Sequence, residues 1–105
     1  MIGIDHNQSH LEDARTRVTP ATRLVRASLE DIPLETSSIA IAFSHKIYQL
    51  ENERKYPKIA REIYRILKPG GIYFSDEDME KYTHAFLQCG LIVLGAENST
   101  SIYQK

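Results

Sequence analysis

Apolar residues along the chain fall into short unbroken runs separated by stretches with a three-to-four residue period. Met1-Ile2-Gly3-Ile4 is a nearly continuous apolar run closed by Asp5, the pattern of a strand buried on both faces. From Ser9 to Val18 the apolar positions Leu11, Ala14 and Val18 share one face while Glu12, Asp13, Arg15 and Arg17 take the other, which predicts an amphipathic helix capped by Asn7 or Ser9. Thr19-Pro20 ends it, because the residue before a proline is pushed out of helical geometry. Strands are predicted at Leu24–Ala27 and Ile39–Phe43, joined by the polar segment Ser28–Ser38. Pro57 suits the first turn of a helix whose apolar face is Ile59, Ala60, Ile63, Ile66 and Leu67. Pro69-Gly70-Gly71 reads as a helix stop and tight turn into the strand Ile72–Phe74. A last helix is predicted over Asp76–Gly90, with Tyr82, Ala85, Phe86 and Cys89 inward. Leu91–Leu94 and Ser101–Tyr103 then read as an antiparallel hairpin around Gly95–Ser99.

Alternating strands and helices predict an α/β fold: a mostly parallel sheet with helices on both faces and a C-terminal antiparallel hairpin, in a single domain over residues 1–105. Such sheets bind ligands beyond the carboxyl ends of their strands. That directs attention to Asp5 and His6, Ser28 and Leu29, Ser44 and His45, and Ser75 and Asp76.

Composition narrows the classes of partner. The 105 residues include 13 Lys and Arg against 14 Asp and Glu, a net charge of −1, so no strong positive field attracts nucleic acid or acidic lipid. No apolar run approaches the roughly 18 residues of a membrane span, and no basic stretch with an apolar core opens the chain, so a cytoplasmic setting is expected. Cys89 is the single cysteine, and its neighbours Gln88 and Gly90 give no reason for a lowered thiol pKa; it is expected as a small buried apolar residue. His6 and His10 share a helical spacing but have no evident third ligand, so no metal site is expected. Asp76, Glu77, Asp78 and Glu80 are read as favouring the dipole of the helix they open.

Four segments, in order, resemble the small-molecule class I S-adenosylmethionine-dependent methyltransferases. Ile2-Gly3-Ile4-Asp5 is similar to that family's second strand with its terminal acid, and Leu29-Glu30-Asp31-Ile32-Pro33-Leu34 to its acidic stretch leading to Leu-Pro-Phe. The strongest match is Arg61-Glu62-Ile63-Tyr64-Arg65-Ile66-Leu67-Lys68-Pro69-Gly70-Gly71, close to the family's Arg-Glu-(two residues)-Arg-Val-Leu-Lys-Pro-Gly-Gly. The final helix followed by Leu91–Leu94 resembles the closing helix and strand pair.

The resemblance implies S-adenosylmethionine as cofactor and a Rossmann-like fold. It implies that Asp5 accepts hydrogen bonds from the ribose hydroxyls, as the acid after the second strand does in dinucleotide-binding folds, with a helix cap as the alternative. It places His6 on the adenine face, Ser28 where the family often has an Asp toward the adenine amino group, and the Leu29 N–H on a ring nitrogen. Ser44 and His45 fall near the methionine moiety and the transferred methyl; His45 as a base and His45 as an ordinary loop residue both remain open.

Lys68-Pro69-Gly70-Gly71 is read as structural, and Ala40 stands where the family often has an Asp. The family's first, central strand and its glycine-rich loop have no counterpart here, so a truncated domain with weakened cofactor affinity is expected. The open edges of the second and fourth strands then point to a homodimer that completes the sheet. An active methyltransferase, an inactive partner or regulatory subunit and a truncated product without a task are the functions this leaves; the methyl acceptor is not named by the sequence.

Overall fold

The computed structural model describes residues 2–5, 23–44, 53–76, 80–97 and 100–105. By its internal contacts the chain divides into two compact units, Met1–Pro33 and Leu34–Lys105. The helix predicted over Ser9–Val18 lies outside the described residues.

The first unit contributes β1 (Ile2–Asp5) and β2 (Arg23–Arg26), which pair in parallel with Asp5 opposite Arg26. Both run where the apolar pattern put them, β2 one residue earlier. Parallel pairing brings both carboxyl ends to one rim.

The second unit is built from β3 (Ile39–Ser44), α1 (Tyr56–Ile66), β4 (Leu67–Ser75), α2 (Glu80–Gln88), β5 (Ile92–Glu97) and β6 (Thr100–Gln104). A short 3-10 turn at Glu53–Lys55 precedes α1, and Pro57 sits in its first turn where a missing N–H is harmless. Its inner face is Tyr56, Ile59, Ala60, Ile63 and Ile66, all buried, as the period of the sequence requires.

The strand order is β3-β4-β6-β5, and this corrects the expected sheet: only β3 and β4 are parallel, while β6 runs antiparallel to both β4 and β5. Two of the three pairings are therefore antiparallel. The reason is that β6 returns from the C-terminal hairpin into the space between β4 and β5, and periodicity reports burial rather than strand direction. Here α1 lies against α2, and Phe86 of α2 packs on Tyr73 of β4 and Tyr103 of β6, so both helices cover one face. The alternation along β4 follows: Gly71, Tyr73 and Ser75 are buried beneath the helices, and Ile72 and Phe74 face the other way, half-exposed.

The core of this unit is a cluster of three rings. Phe86 lies 5.0 Å from Tyr73 and 5.4 Å from Tyr103, and the two tyrosines stack at 5.7 Å between centroids. The tyrosine hydroxyls stay satisfied, Tyr73 on Ser44 and Tyr103 on Thr83.

Gly70 takes the positive φ (+81) that the Pro-Gly-Gly composition suggests, but within β4 rather than ahead of it. The helix stops because Leu67 turns extended (ψ 137), and β4 begins at once. Pro69-Gly70-Gly71 is carried within the strand, where the Gly70 N–H donates to Lys105 O and the Lys105 N–H to Gly71 O. The last carbonyls of α1 are all used: Ile63 O by the Leu67 N–H, Arg65 O and Ile66 O by the Ser37 and Ser38 N–H groups, and Tyr64 O by the Lys105 ammonium, which also holds Leu67 O. Arg65 adds a second tie to the segment entering β3, with a two-pronged hold on Glu62 and one N–H donated to Leu34 O at 2.8 Å.

The end of α2 is a Schellman motif: the Leu91 N–H donates to Phe86 O and the Gly90 N–H to Leu87 O, both at 3.2 Å, with Gly90 at φ +113. A Cβ at Gly90 would meet the Tyr64 ring at 3.2 Å. Gly90→Ala is therefore expected to lower stability by about 1–2 kcal/mol, the penalty of a left-handed backbone for an L-residue. Urea unfolding measures it, and an unchanged midpoint would contradict this account of the helix end.

Candidate functional site

Three of the residues singled out from the sequence belong to the carboxyl ends of β1 and β2 or the segment that follows. Asp5 ends β1, and Ser28 and Leu29 follow two and three residues after the end of β2, whose last residue Arg26 is Asp5's partner in register. Ser28 is exposed and forms its own small turn: its Oγ accepts from the Glu30 N–H at 3.1 Å and its carbonyl from the Asp31 N–H at 3.1 Å. That turn follows directly from a serine two residues ahead of an N–H it can bond. The Leu29 N–H makes no hydrogen bond to another described residue. His6 lies outside the described residues.

In the second unit the carboxyl ends of the parallel pair β3 and β4 carry Ser44 beside Ser75, and Ser75 lies opposite Ser101 of β6. Ser75 and Ser101 are buried and Ser44 half-buried, so a row of hydroxyls crosses three strands under the helices. Ser44 Oγ and the Tyr73 hydroxyl share a hydrogen bond of 2.5 Å. Ser44 is thereby committed inward to a core tyrosine. Nothing in the sequence gave Tyr73 this part; the alternation Tyr73-Phe74-Ser75 puts Tyr73 and Ser75 on one face, but pairing with Ser44 depends on the β3–β4 register. His45 lies outside the described residues. Asp76 follows β4, half-buried, while Glu77 and Asp78 are outside the described residues.

Cys89 is half-buried rather than fully enclosed, with its thiol donating to Phe86 O at 3.1 Å. Burial pushes its pKa up, against smaller lowering effects of backbone hydrogen bonds and Arg61, so the thiol form is held at neutral pH. The hollow beside it, lined by Pro57, Arg61, Ala85, Gln88 and Cys89, has a volume of about 180 Å³. That is below the roughly 300 Å³ where small-molecule pockets begin, too small for a nucleoside cofactor. No group of three metal-ligating side chains occurs among the described residues, and no described helix is long and apolar enough to cross a membrane.

Strand pairs β2-β1 and β3-β4-β6-β5, each with its parallel carboxyl ends forming a rim, define an α/β fold of the methyltransferase kind. The methyltransferase domain family matches residues 1–71 of the 105, and the chain belongs to that family. The match ends on Gly71, the last residue of the Arg-Glu…Pro-Gly-Gly segment. Members of the family use S-adenosylmethionine.

Solved structures share the fold at low sequence identity. An S-adenosylmethionine-dependent methyltransferase from Methanosarcina mazei superposes with a TM-score of 0.81 at 13% identity, covering 99% of this chain and 81% of that one. A TehB-like S-adenosylmethionine-dependent methyltransferase from Corynebacterium glutamicum gives 0.79 at 13% identity, covering 99% of this chain and 67% of that one. A putative sarcosine dimethylglycine methyltransferase from Galdieria sulphuraria gives 0.73 at 15% identity, covering 90% of this chain and 46% of that one. This chain thus spans from about half to four-fifths of the length of these proteins. No curated protein sequence matches it.

The described residues fit the nucleoside end of the cofactor. The rim of β1 and β2 offers a carboxylate-bearing residue at a strand end and, at Leu29, an N–H with no partner among the described residues.

Proposed function

We propose that the chain binds S-adenosylmethionine through the β1–β2 rim and serves as a methyltransferase-like domain for a small-molecule acceptor. The observation that supports this reading is the parallel register of β1 and β2, which sets Asp5 opposite Arg26, three residues before Leu29. In the proposal, Asp5 accepts from the ribose hydroxyls, the Leu29 N–H donates to an adenine ring nitrogen, and Ser28 and His6 flank the base. When bound, the cofactor supplies an electrophilic methyl group; the protein's part is to hold acceptor and sulfonium in line, where positioning alone is worth several kcal/mol. The small-molecule class is supported by the name of the Galdieria relative, a putative sarcosine dimethylglycine methyltransferase.

Ser44's inward hydrogen bond to Tyr73 favours a second reading, in which the domain binds cofactor without transferring a methyl and acts as an inactive partner subunit.

Calorimetric titration with S-adenosylmethionine and S-adenosylhomocysteine tests the proposal. Saturable binding is expected, weakened by about ten- to a hundredfold in Asp5→Ala, since charge-assisted hydrogen bonds are worth roughly 1.5–3 kcal/mol. No heat at millimolar ligand rejects cofactor binding, and binding indifferent to Asp5→Ala rejects the carboxylate's role. Binding without methyl transfer to any small acceptor selects the second reading.

A further inference from the structure

Charge is unevenly placed along the chain. Residues 53–68 carry six Lys and Arg against two Glu, a net +4, while the remainder carries seven against twelve, a net −5. Within the basic segment Arg54, in the turn leading into α1, and Lys58 and Arg61 on α1 recur at intervals of four and three, and all three are exposed. They lie opposite the buried face of Ile59, Ile63 and Ile66. Arg65, next on that side, is already committed to Glu62 and Leu34 O. The arrangement costs stability: no acid stands in the first turn of α1, its N-cap Lys55 makes no side-chain cap bond, and Arg54, Lys55 and Lys58 crowd the positive end of the helix dipole. Local rules are broken in this way where a surface has a task.

The hollow between α1 and α2 opens beside this row. Arg61 forms one wall of it, with Pro57, Ala85, Gln88 and Cys89. Its volume of about 180 Å³ is too small for a nucleoside but enough for a single ring, since a cavity of about 150 Å³ holds benzene. A guanidinium in the wall suits the face of such a ring.

We propose that this face of α1 docks a short acidic segment of a partner protein, with one aromatic side chain seated in the hollow against Arg61 and flanking carboxylates on Arg54 and Lys58. Charge complementarity fixes the sign of the occupant, and the hollow fixes its anchor. The row from Arg54 to Arg61 is about 10 Å long at 1.5 Å per residue, the span of three or four extended residues. Beyond it the net −5 of the remaining chain repels a longer polyanion such as nucleic acid. Single-stranded nucleic acid also calls for aromatic platforms, and the aromatics of α1 do not supply them: Tyr56 is buried and Tyr64 lies half-buried beneath the Lys105 ammonium. Docking here does not depend on cofactor binding.

Fluorescence anisotropy of the whole protein with a fluorescein-labelled heptapeptide, Glu-Glu-Asp-Phe-Asp-Glu-Glu, tests the proposal. Saturable binding with a Kd below about 1 mM is expected at low salt, weakening as salt is added. Replacing the peptide's Phe by Ala should raise Kd at least about fivefold, and so should Arg61→Glu in the protein, with circular dichroism unchanged. Lys68→Glu makes the same change of charge beyond the far end of α1, on β4, and should raise Kd less than about twofold. The change made in the peptide decides the role of the hollow even if Arg61→Glu fails to fold. No binding at millimolar peptide, equal affinity for the Ala peptide, indifference to Arg61→Glu in a folded variant, an equal loss in Lys68→Glu, or a thymidine heptanucleotide bound as tightly as the peptide each overturns the proposal.

Discussion

Phe86→Ala should destabilise the unit Leu34–Lys105 by about 3–5 kcal/mol. Phe86 is fully buried and touches both Tyr73 and Tyr103, so its removal leaves a cavity lined by two stiff aromatics that are pinned through their hydroxyls to Ser44 and Thr83. Pinned walls collapse poorly into a void, which places the loss toward the upper end of the range. A domain of ordinary stability, about 5–15 kcal/mol, would lose a large share of it. Urea unfolding of Phe86→Ala beside the milder Phe86→Leu provides the measurement. Equal midpoints for the two would mean that α2 does not seat this ring between the tyrosines.

Gly71→Ala is the second change with a large expected effect, about 1–3 kcal/mol, for a different reason. A Cβ there would stand 2.8 Å from Lys68 O, 3.2 Å from Ala40 O and 3.3 Å from Ile39 O. All three atoms are backbone, two of them on β3, so no side chain can swing aside and the strands themselves must part. Gly95, where a Cβ meets nothing and φ is unexceptional, is the control, and Gly95→Ala should unfold at the wild-type midpoint. If Gly71→Ala also unfolds at that midpoint, β3 and β4 do not approach each other as closely as the structure has them.

These two sites also show what the sequence could and could not say. Phe86 was legible as a core residue from the spacing Ala85, Phe86, Cys89, and α1 from Pro57 and its apolar period, because helix burial is written in local repeats. The strand status of Pro69-Gly70-Gly71 was not legible. Its composition signals a turn, and only the ladder bonds to Lys105, more than thirty residues on, draw it into the sheet. Strand direction was hidden for the same reason, since the insertion of β6 beside β4 is a fact of pairing rather than of periodicity. For the site, the position after each strand was readable as a place to inspect for ligands, and the register of β1 with β2 sets Asp5 opposite Arg26, three residues before Leu29. The commitment of Ser44 to Tyr73 could not be read, because it joins residues 29 apart across two strands.

The placement of β6 between β4 and β5 has a consequence for how the protein comes off the ribosome. β5 is synthesised before the one strand it bonds to, and β4 likewise waits on that same segment for its second neighbour. The ammonium that occupies two carbonyls at the end of α1 arrives later still, on Lys105. Nascent chains halted before residue 100 thus present hungry strand edges and a ragged helix end together, which makes the interval before Thr100–Lys105 emerges one of heightened exposure to misassembly.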